Sequence, residues 1–446
     1  MARPAFEHDG VAYPVFAPPA NAHFTEIPDD RYFVRHTANV DLINEYRQRG
    51  LEAIAHGRLC VLVLCGGQAS RLGALQPKGT LSLKLGGRFD TLLRLQAAQI
   101  VRLLYLARTE VRESQPRIIW AVMVSQSTEA AIRQHLNQIC AEFQLPREDV
   151  IVFRQGGRDA LLRPAGQHGN GGLYDALRVP LPELKNKSVL EVLEERGVRY
   201  FHTYCVDNIL CRVGDPVFIG FSIIKGADCA AKVGSFRSFN SLIRPSWRRR
   251  TPTEKVGVIC MNGDRPAVVE YSEITKEMSE RRTADGKKLA FRAGNIANHF
   301  FTLPFMKNTI NHPLDYHLAE KKIAYFDRQI ARTITPDKPN GIKLERFIFD
   351  VFPLAREFHV FQVEPSEEFS PLKNGDDVGV DCPRTCINDL LKLHSEWLRR
   401  AHVNAGRPLY VSPITSYEGE SLNSDRVRHE AGICRGNWID LLPDGY

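Results

Sequence analysis

The chain has 446 residues, 43% hydrophobic and 25% charged, an ordinary globular composition with enough length for one large core and smaller flanking units. A formal net charge of +7 suits an anionic partner. The basic runs are short and carry no nucleic-acid motif, the cysteines lack CxxC spacing, MARPAFEHDG has no signal-peptide plan, and no apolar run approaches the roughly 20 residues of a membrane span. No nucleic acid, zinc or membrane partner is expected, and the setting is a cytoplasmic one with buried, reduced thiols.

Residues 1–57 read as a proline-rich irregular arm, with Pro4, Pro14, Pro18, Pro19 and Pro28, followed by one or two short helices broken at Gly50. Leu59 to Cys65 is continuously apolar, the pattern of a strand buried on both faces of a parallel sheet. It runs into Gly66 and Gly67, where backbone N–H groups can approach an anion. Arg71 and Lys78 then add fixed positive charge. LCVLVLCGGQASRLGALQPKGTLSL therefore reads as a phosphate-binding loop, although it is neither the P-loop nor the dinucleotide fingerprint.

A helix over Leu92–Leu106, capped by Asp90 or Thr91, a strand over Ile118–Val124, a helix ending near Phe143 and a strand over Val150–Phe153 predict a parallel α/β sheet with right-handed crossovers. Gln155, at the end of that strand, is either a surface side chain or one that can donate to and accept from a base edge. In Gln167–Tyr174 the glycines around Asn170 precede a helix, so backbone donors point into a site.

Val198–Val206 is a further strand, ending at Asp207. That carboxylate is either a magnesium ligand, completed by phosphate oxygens and water, or a structural cap. Lys232 in the next strand is expected to be ion-paired rather than a phosphate contact, and the SWRRR run within Ser235–Glu254 is a surface loop. Val256–Cys260 and Ala267–Ile274 form a hairpin-like pair in which Glu270 interrupts an apolar strand and needs a partner or a ligand. His299 reads as a structural imidazole. Phe347–Phe352 is predicted as an alternating strand, with Asp350 either a second metal ligand or an ion pair. Asp389–His402 is a helix, and a polar tail comes after it. Cys65 and Cys205 read as buried and inert.

GGQASRLGALQPKG resembles the GGxGTRLGxxxPKG signature of the eukaryotic UDP-sugar pyrophosphorylases, and within them most nearly the UDP-N-acetylglucosamine pyrophosphorylases. Ala69 stands where that family has Gly, and Ser70 where it has Thr. GNGGLY, YCVDN, VEYSEI, AGN, KPNGIK and SPLKN extend the resemblance, in order, over about residues 40 to 400. It implies a Rossmann-like, mixed, mainly parallel α/β sheet of the nucleotidyltransferase type at 58–352, with small appendages at 1–57 and 353–446, the latter a lid or dimer contact.

The implied reaction converts UTP and N-acetylglucosamine 1-phosphate reversibly into UDP-N-acetylglucosamine and pyrophosphate, with Mg²⁺ or Mn²⁺, in a monomer or homodimer. GalNAc 1-phosphate or glucose 1-phosphate is the alternative substrate, and a non-catalytic nucleotide-sugar sensor the alternative class. The resemblance assigns Arg71, Lys78 and Lys373 to catalysis. It assigns Gly66, Gly67, Gln155, Gly169 and Asn170 to the nucleotide, and Gly257, Glu270, Tyr271, Asn295, Phe347 and Phe349 to the sugar. Asp207 is its metal ligand.

Overall fold

Every residue of Leu59–Leu64 is buried, and the sheet explains why. The computed structural model describes residues 5–8, 11–15, 24–74, 76–85, 89–155, 169–235, 256–270, 273–283, 285–286, 289–321, 325–334, 336–423, 425, 427–429 and 438–441. The strands that position the site are β1 (Tyr32–Val34), β2 (Leu59–Leu64), β3 (Ile118–Val124), β4 (Val150–Arg154), β5 (Tyr200–Cys205), β6 (Cys229–Ser235), β7 (Val258–Asn262), β8 (Arg265–Val269), β9 (Ala293–Thr302) and β10 (Phe358–Val363). Their order is β1-β10-β6-β9-β5-β2-β3-β4, with the β7–β8 hairpin attached beside β9. All neighbours along the main path run parallel except on the two sides of β9. This is the mixed, mainly parallel sheet expected.

β2 lies between β3 and β5. Val61 and Val63 enter one core and Cys60, Leu62 and Leu64 the other, so an uninterrupted apolar run is what a strand covered on both faces requires. Three helices help to cover one face: α1 (Val40–Ala55), α2 (Leu92–Glu110) and α3 (Glu129–Phe143). Thr91 caps α2 by accepting from the Arg94 N–H, one of the two caps considered.

Gly50 does not break α1; it lets a second helix touch it. A Cβ at Gly50 would lie 2.0 Å from the Pro216 carbonyl oxygen, and one at Gly220 would lie 1.7 Å from the Tyr46 carbonyl oxygen. These glycines bring α1 against α4 (Pro216–Ile224) at backbone contact. Gly220→Ala is expected to lower stability by about 1–3 kcal/mol through overpacking, read as a lower urea midpoint at unchanged slope.

Other expectations are corrected. The main sheet crosses both anticipated boundaries: β1 comes from within 1–57, and β10 from beyond 353. The arm is thus not wholly irregular, because Tyr32–Val34 finds an open edge on β10. The C-terminal helix α5 (Pro383–Arg400) starts earlier than its apolar pattern suggested, with Pro383 in its first turn and Cys382 as the N-cap residue. The chain beyond α5 is not simply a polar tail. Tyr410, Val411, Ile414 and Tyr417 are buried in the large core, and the Tyr417 hydroxyl donates to the Val213 carbonyl at 3.1 Å.

Phe347–Phe352 is no strand either. Phe347 donates its N–H to Asp350 Oδ2 (2.7 Å), Phe352 N–H donates to the Phe349 carbonyl (3.0 Å), and the chain enters a 3-10 turn over Phe352–Leu354. The aspartate captures a backbone donor locally, which overrides the strand preference of the aromatics. The SWRRR loop lies outside the described residues.

Lys232 is ion-paired as expected. It is fully buried and joins Asp215 and Glu368, which are equally buried. Asp215 also caps α4 by accepting from the Val217 N–H. No helix among the described residues is long and apolar enough to cross a membrane.

Candidate functional site

Because β5, β2, β3 and β4 are mutually parallel, their carboxyl ends share one edge of the sheet, where α/β sheets present their ligand-binding groups. The segments leaving that edge are Asp207–Asn208, the glycine-rich loop, Ser125 and Gln155.

The loop is closed by its own backbone. Ala69 N–H donates to the Gln76 carbonyl (3.1 Å) and Lys78 N–H to the Gly67 carbonyl (3.2 Å). Ala69 has φ −85°, an ordinary value for any residue, so alanine in place of the signature's glycine brings no backbone strain. Arg71 lies exposed on the Ser70–Leu72 turn, with no side-chain partner among the described residues, and its carbonyl accepts from the Gly375 N–H at 3.2 Å.

Lys78 points the other way. Its ammonium donates to Asp207 Oδ2 (3.3 Å) and to the Leu372 carbonyl (3.0 Å). The segment before Lys373 is stitched to the end of β5: Leu372 N–H donates to the Asp207 carbonyl (2.8 Å), Ser370 N–H to Asn208 Oδ1 (2.9 Å), and Asn208 Nδ2 to the Glu368 carbonyl (2.7 Å). Residues nearly three hundred positions apart thus bring Lys78, Asp207 and Lys373 together. Burial and then the Asp207 charge push the Cys205 thiol up to about 12, against Lys373 and Lys78. Burial pushes Cys65 up to about 12 as well, so neither thiol is a nucleophile at neutral pH.

On the other side of the loop, a Cβ at Gly66 would sit 3.3 Å from Gln155 Oε1. Gln155 Nε2 donates to the Gly169 carbonyl. Gly169 has φ +51°, and a Cβ there would lie 2.3 Å from the Arg346 carbonyl oxygen, so only glycine fits. Gly171 N–H donates to that same oxygen (2.8 Å), and Asn170 Oδ1 accepts from the Ile348 N–H (3.1 Å). The glycine-asparagine run is therefore docked on residues 346–348, which carry the aromatic turn.

The third group lies around Glu270, which follows the end of β8 rather than interrupting it. A Cβ at Gly257 would be 2.7 Å from Glu270 Oε1, so the bare backbone at Gly257 makes room for the carboxylate. Asn295 donates its N–H to the Gly257 carbonyl (2.8 Å), and its Oδ1 is close to the Ala297 N–H and to His299 Nε2, both at 3.0 Å. Burial pushes His299 down to about 3; it is the structural imidazole expected. The Phe347 and Phe349 rings stack at 4.9 Å. Tyr271 lies outside the described residues.

Burial, then the charge of Glu273, raises the Glu270 pKa to about 7, while His317 and Lys373 oppose the shift. Sequence reasoning missed Glu273 and His317. Glu273 stood three residues from Glu270 in the same turn, a usable signal, whereas nothing local marked His317. Asp350 takes its ion-pair alternative, with Oδ1 3.1 Å from His317 Nε2.

Among the described residues no group of three or more His, Cys, Asp or Glu side chains is arranged to hold a metal ion. Asp207, with its side chain 21% exposed beside Lys78, offers a single carboxylate. That donor set fits Mg²⁺, which takes one or two carboxylates and fills the rest of its shell with phosphate oxygens and water.

The family model described as UTP–glucose-1-phosphate uridylyltransferase matches residues 25–405. The probable UDP-N-acetylglucosamine pyrophosphorylase of Caenorhabditis elegans is 41% identical over 433 residues, covering 92% of this chain and 84% of that one. The UDP-N-acetylglucosamine pyrophosphorylase of Saccharomyces cerevisiae is 37% identical, covering 87% and 81%. Among solved structures, the uridine diphosphate N-acetylglucosamine pyrophosphorylase of Trypanosoma brucei superposes with a TM-score of 0.78 at 26% identity, covering 95% of this chain and 87% of that one.

Proposed function

The chain belongs to the UTP–glucose-1-phosphate uridylyltransferase family, the UDP-sugar pyrophosphorylases, and from this we propose that it converts UTP and N-acetylglucosamine 1-phosphate into UDP-N-acetylglucosamine and pyrophosphate, reversibly. The observation that carries the reading is the convergence of Lys78, Asp207 and Lys373 on the sheet edge where Gln155 meets Gly66 and Gly169.

A sugar phosphate is ionised near neutral pH. Its oxygen attacks the α-phosphorus of UTP, the bond to the β,γ-pyrophosphate breaks, and no protein nucleophile is needed. Catalysis is positioning and charge neutralisation. Gln155, Gly66, Gly67 and Gly169 would seat the uridine side, with Asn170 holding the nucleotide sugar. Arg71 and Lys78 would balance the departing pyrophosphate, and Lys373 the reacting phosphate. Glu270, Asn295 and the backbone at Gly257 would fix sugar hydroxyls, and the Phe347–Phe349 stack would face the acetamido group. Mg²⁺ or Mn²⁺ at Asp207 would supply phosphate charge neutralisation.

The test is pyrophosphate release from UTP with N-acetylglucosamine 1-phosphate, GalNAc 1-phosphate and glucose 1-phosphate in parallel, with and without EDTA. EDTA-sensitive release with the first and little with the last is expected. Preference for glucose 1-phosphate overturns the sugar assignment, and binding without release in any arm favours a sensor.

Glu270 gives this reading a pH signature. A carboxyl accepts fewer hydrogen bonds once protonated, so KM for the sugar phosphate should rise as pH falls below about 7. Glu270→Gln should lose that inflection, which separates it from ionisation of the substrate itself. The folded pKa lies above the unfolded value, so the neutral carboxyl favours the fold at low pH and that contribution is lost as pH rises through about 7. The Gln variant should accordingly be more stable than wild type at pH 8, with the advantage gone near pH 4.

A further inference from the structure

Two separate turns carry Glu270 and the Phe347–Phe349 pair, and one side chain joins them. At the first, the Ile274 N–H donates to the Glu270 carbonyl at 3.0 Å. The second holds Phe347, Phe349 and Asp350. Between them sits His317, 6% exposed, at the start of the strand His317–Lys321. Its Nδ1 is 3.1 Å from Glu273 Oε1 and its Nε2 is 3.1 Å from Asp350 Oδ1.

Each carboxylate uses its second oxygen on the backbone of its own turn. Glu273 Oε2 accepts from the Glu270 N–H (3.2 Å), and Asp350 Oδ2 accepts from the Phe347 N–H (2.7 Å). The imidazole also packs 4.9 Å from the Phe347 ring, which stacks on Phe349. An unbroken chain of contacts therefore runs from the backbone of Glu270 to the aromatic wall, and it passes through one imidazole.

Ionised carboxylates only accept, so with both of them ionised the ring donates from each nitrogen as an imidazolium, against a burial that pushes the Asp350 carboxyl up. Burial alone would lower the pKa of His317, but its hydrogen bonds to Asp350 and Glu273 and their charges hold it at about 10. A cation under the acidic turn offsets part of the repulsion among Glu273, Asp350 and Glu270.

We infer that His317 is a positioning residue that sets the distance between the Glu270 carboxylate and the Phe347–Phe349 wall, and with it the width of the sugar pocket and its preference for an acetamido sugar. This rests on the proposed pyrophosphorylase activity. A residue that merely held the fold would affect every ligand alike; a pocket clamp affects the sugar and spares the nucleotide.

The test is calorimetric titration of UDP and of UDP-N-acetylglucosamine against wild type, His317→Leu, Glu273→Gln and Asp350→Asn. Loss of one buried charge-assisted bond predicts roughly a tenfold or greater fall in UDP-N-acetylglucosamine affinity. UDP affinity should stay within about twofold, and the kcat/KM ratio for N-acetylglucosamine 1-phosphate over glucose 1-phosphate should fall in parallel. If His317→Leu does not fold, Glu273→Gln, which keeps its size and cuts one arm only, carries the same readout. Unchanged UDP-N-acetylglucosamine affinity in the folded variants, or equal loss of both ligands, overturns the clamp. Wild-type protein that binds UDP but not UDP-N-acetylglucosamine overturns the functional reading itself, and the clamp falls with it.

Discussion

Lys78→Met is expected to lower kcat for pyrophosphate release by about 10²–10³-fold, the loss typical of removing one preorganised charge-stabilising donor. The ammonium of this lysine contacts the Asp207 carboxylate at 3.3 Å and the Leu372 carbonyl at 3.0 Å, so it lies against the expected metal ligand and the residue before Lys373. Removing it takes away the cation proposed to balance the departing pyrophosphate and leaves Asp207 without its neighbour.

Lys78→Arg should not restore the rate, because a planar fork cannot replace a compact point charge shared between a carboxylate and a carbonyl. Arg71→Ala should also lower kcat, with little change in melting temperature, since the exposed Arg71 side chain has no partner among the described residues. Steady-state kinetics with UTP and the sugar phosphate varied in turn decides it. An unchanged kcat in Lys78→Met would remove this lysine from the chemistry.

Lys232→Met is expected to cost about 3–5 kcal/mol of stability, as breaking a buried ion pair from one side generally does. Lys232 and Asp215 are both 0% exposed at the side chain and Glu368 is 1% exposed. The substitution strands carboxylates where water cannot solvate them, although Glu368 keeps Arg35 at 2.9 Å and Arg212 nearby. Burial alone would raise the pKa of Asp215, but Lys232 and Arg212 hold it below the usual carboxylate value, a contribution present near neutral pH and lost as pH falls.

Urea unfolding measures the cost, and adding Asp215→Asn to Lys232→Met should recover part of it, because a neutral amide is less costly to bury than an unpaired charge. If the double variant loses the sum of what Lys232→Met and Asp215→Asn lose singly, the two side chains are not energetically coupled. The consequence extends to the site, since Glu368 begins the segment that the Asn208 and Asp207 bonds carry on to Lys373. A weakened anchor at Glu368 should lower kcat even where the protein stays folded.

Much of this was legible in the chain. The run Leu59 to Cys65 reads as a two-sided buried strand because both faces must be apolar in the middle of a parallel sheet, and it lies between β3 and β5. Glycine followed by fixed cations marks an anion loop for the same local reason. The crossover pattern placed Gln155 and Asp207 at strand ends, and parallel strands necessarily end on one edge.

Misreadings arose where local preference met a tertiary contact. Gly50 looks like a helix break, yet its missing Cβ admits the Pro216 backbone. The Phe347 run alternates like a strand, yet Asp350 captures the Phe347 N–H and Asn170 the Ile348 N–H, which takes those donors out of any sheet ladder.

Fold class, the order of the motifs and the chemical type of each candidate side chain are properties of the linear chain, because hydrophobic period, turn residues and charge act over a few neighbours. Which charges share space is a property of the packed molecule: Lys78 with Asp207, Lys232 with Asp215 and Glu368, and His317 between Glu273 and Asp350. Electrostatic strength and pKa depend on distance and solvent access, and neither exists until segments tens to hundreds of residues apart have been packed together.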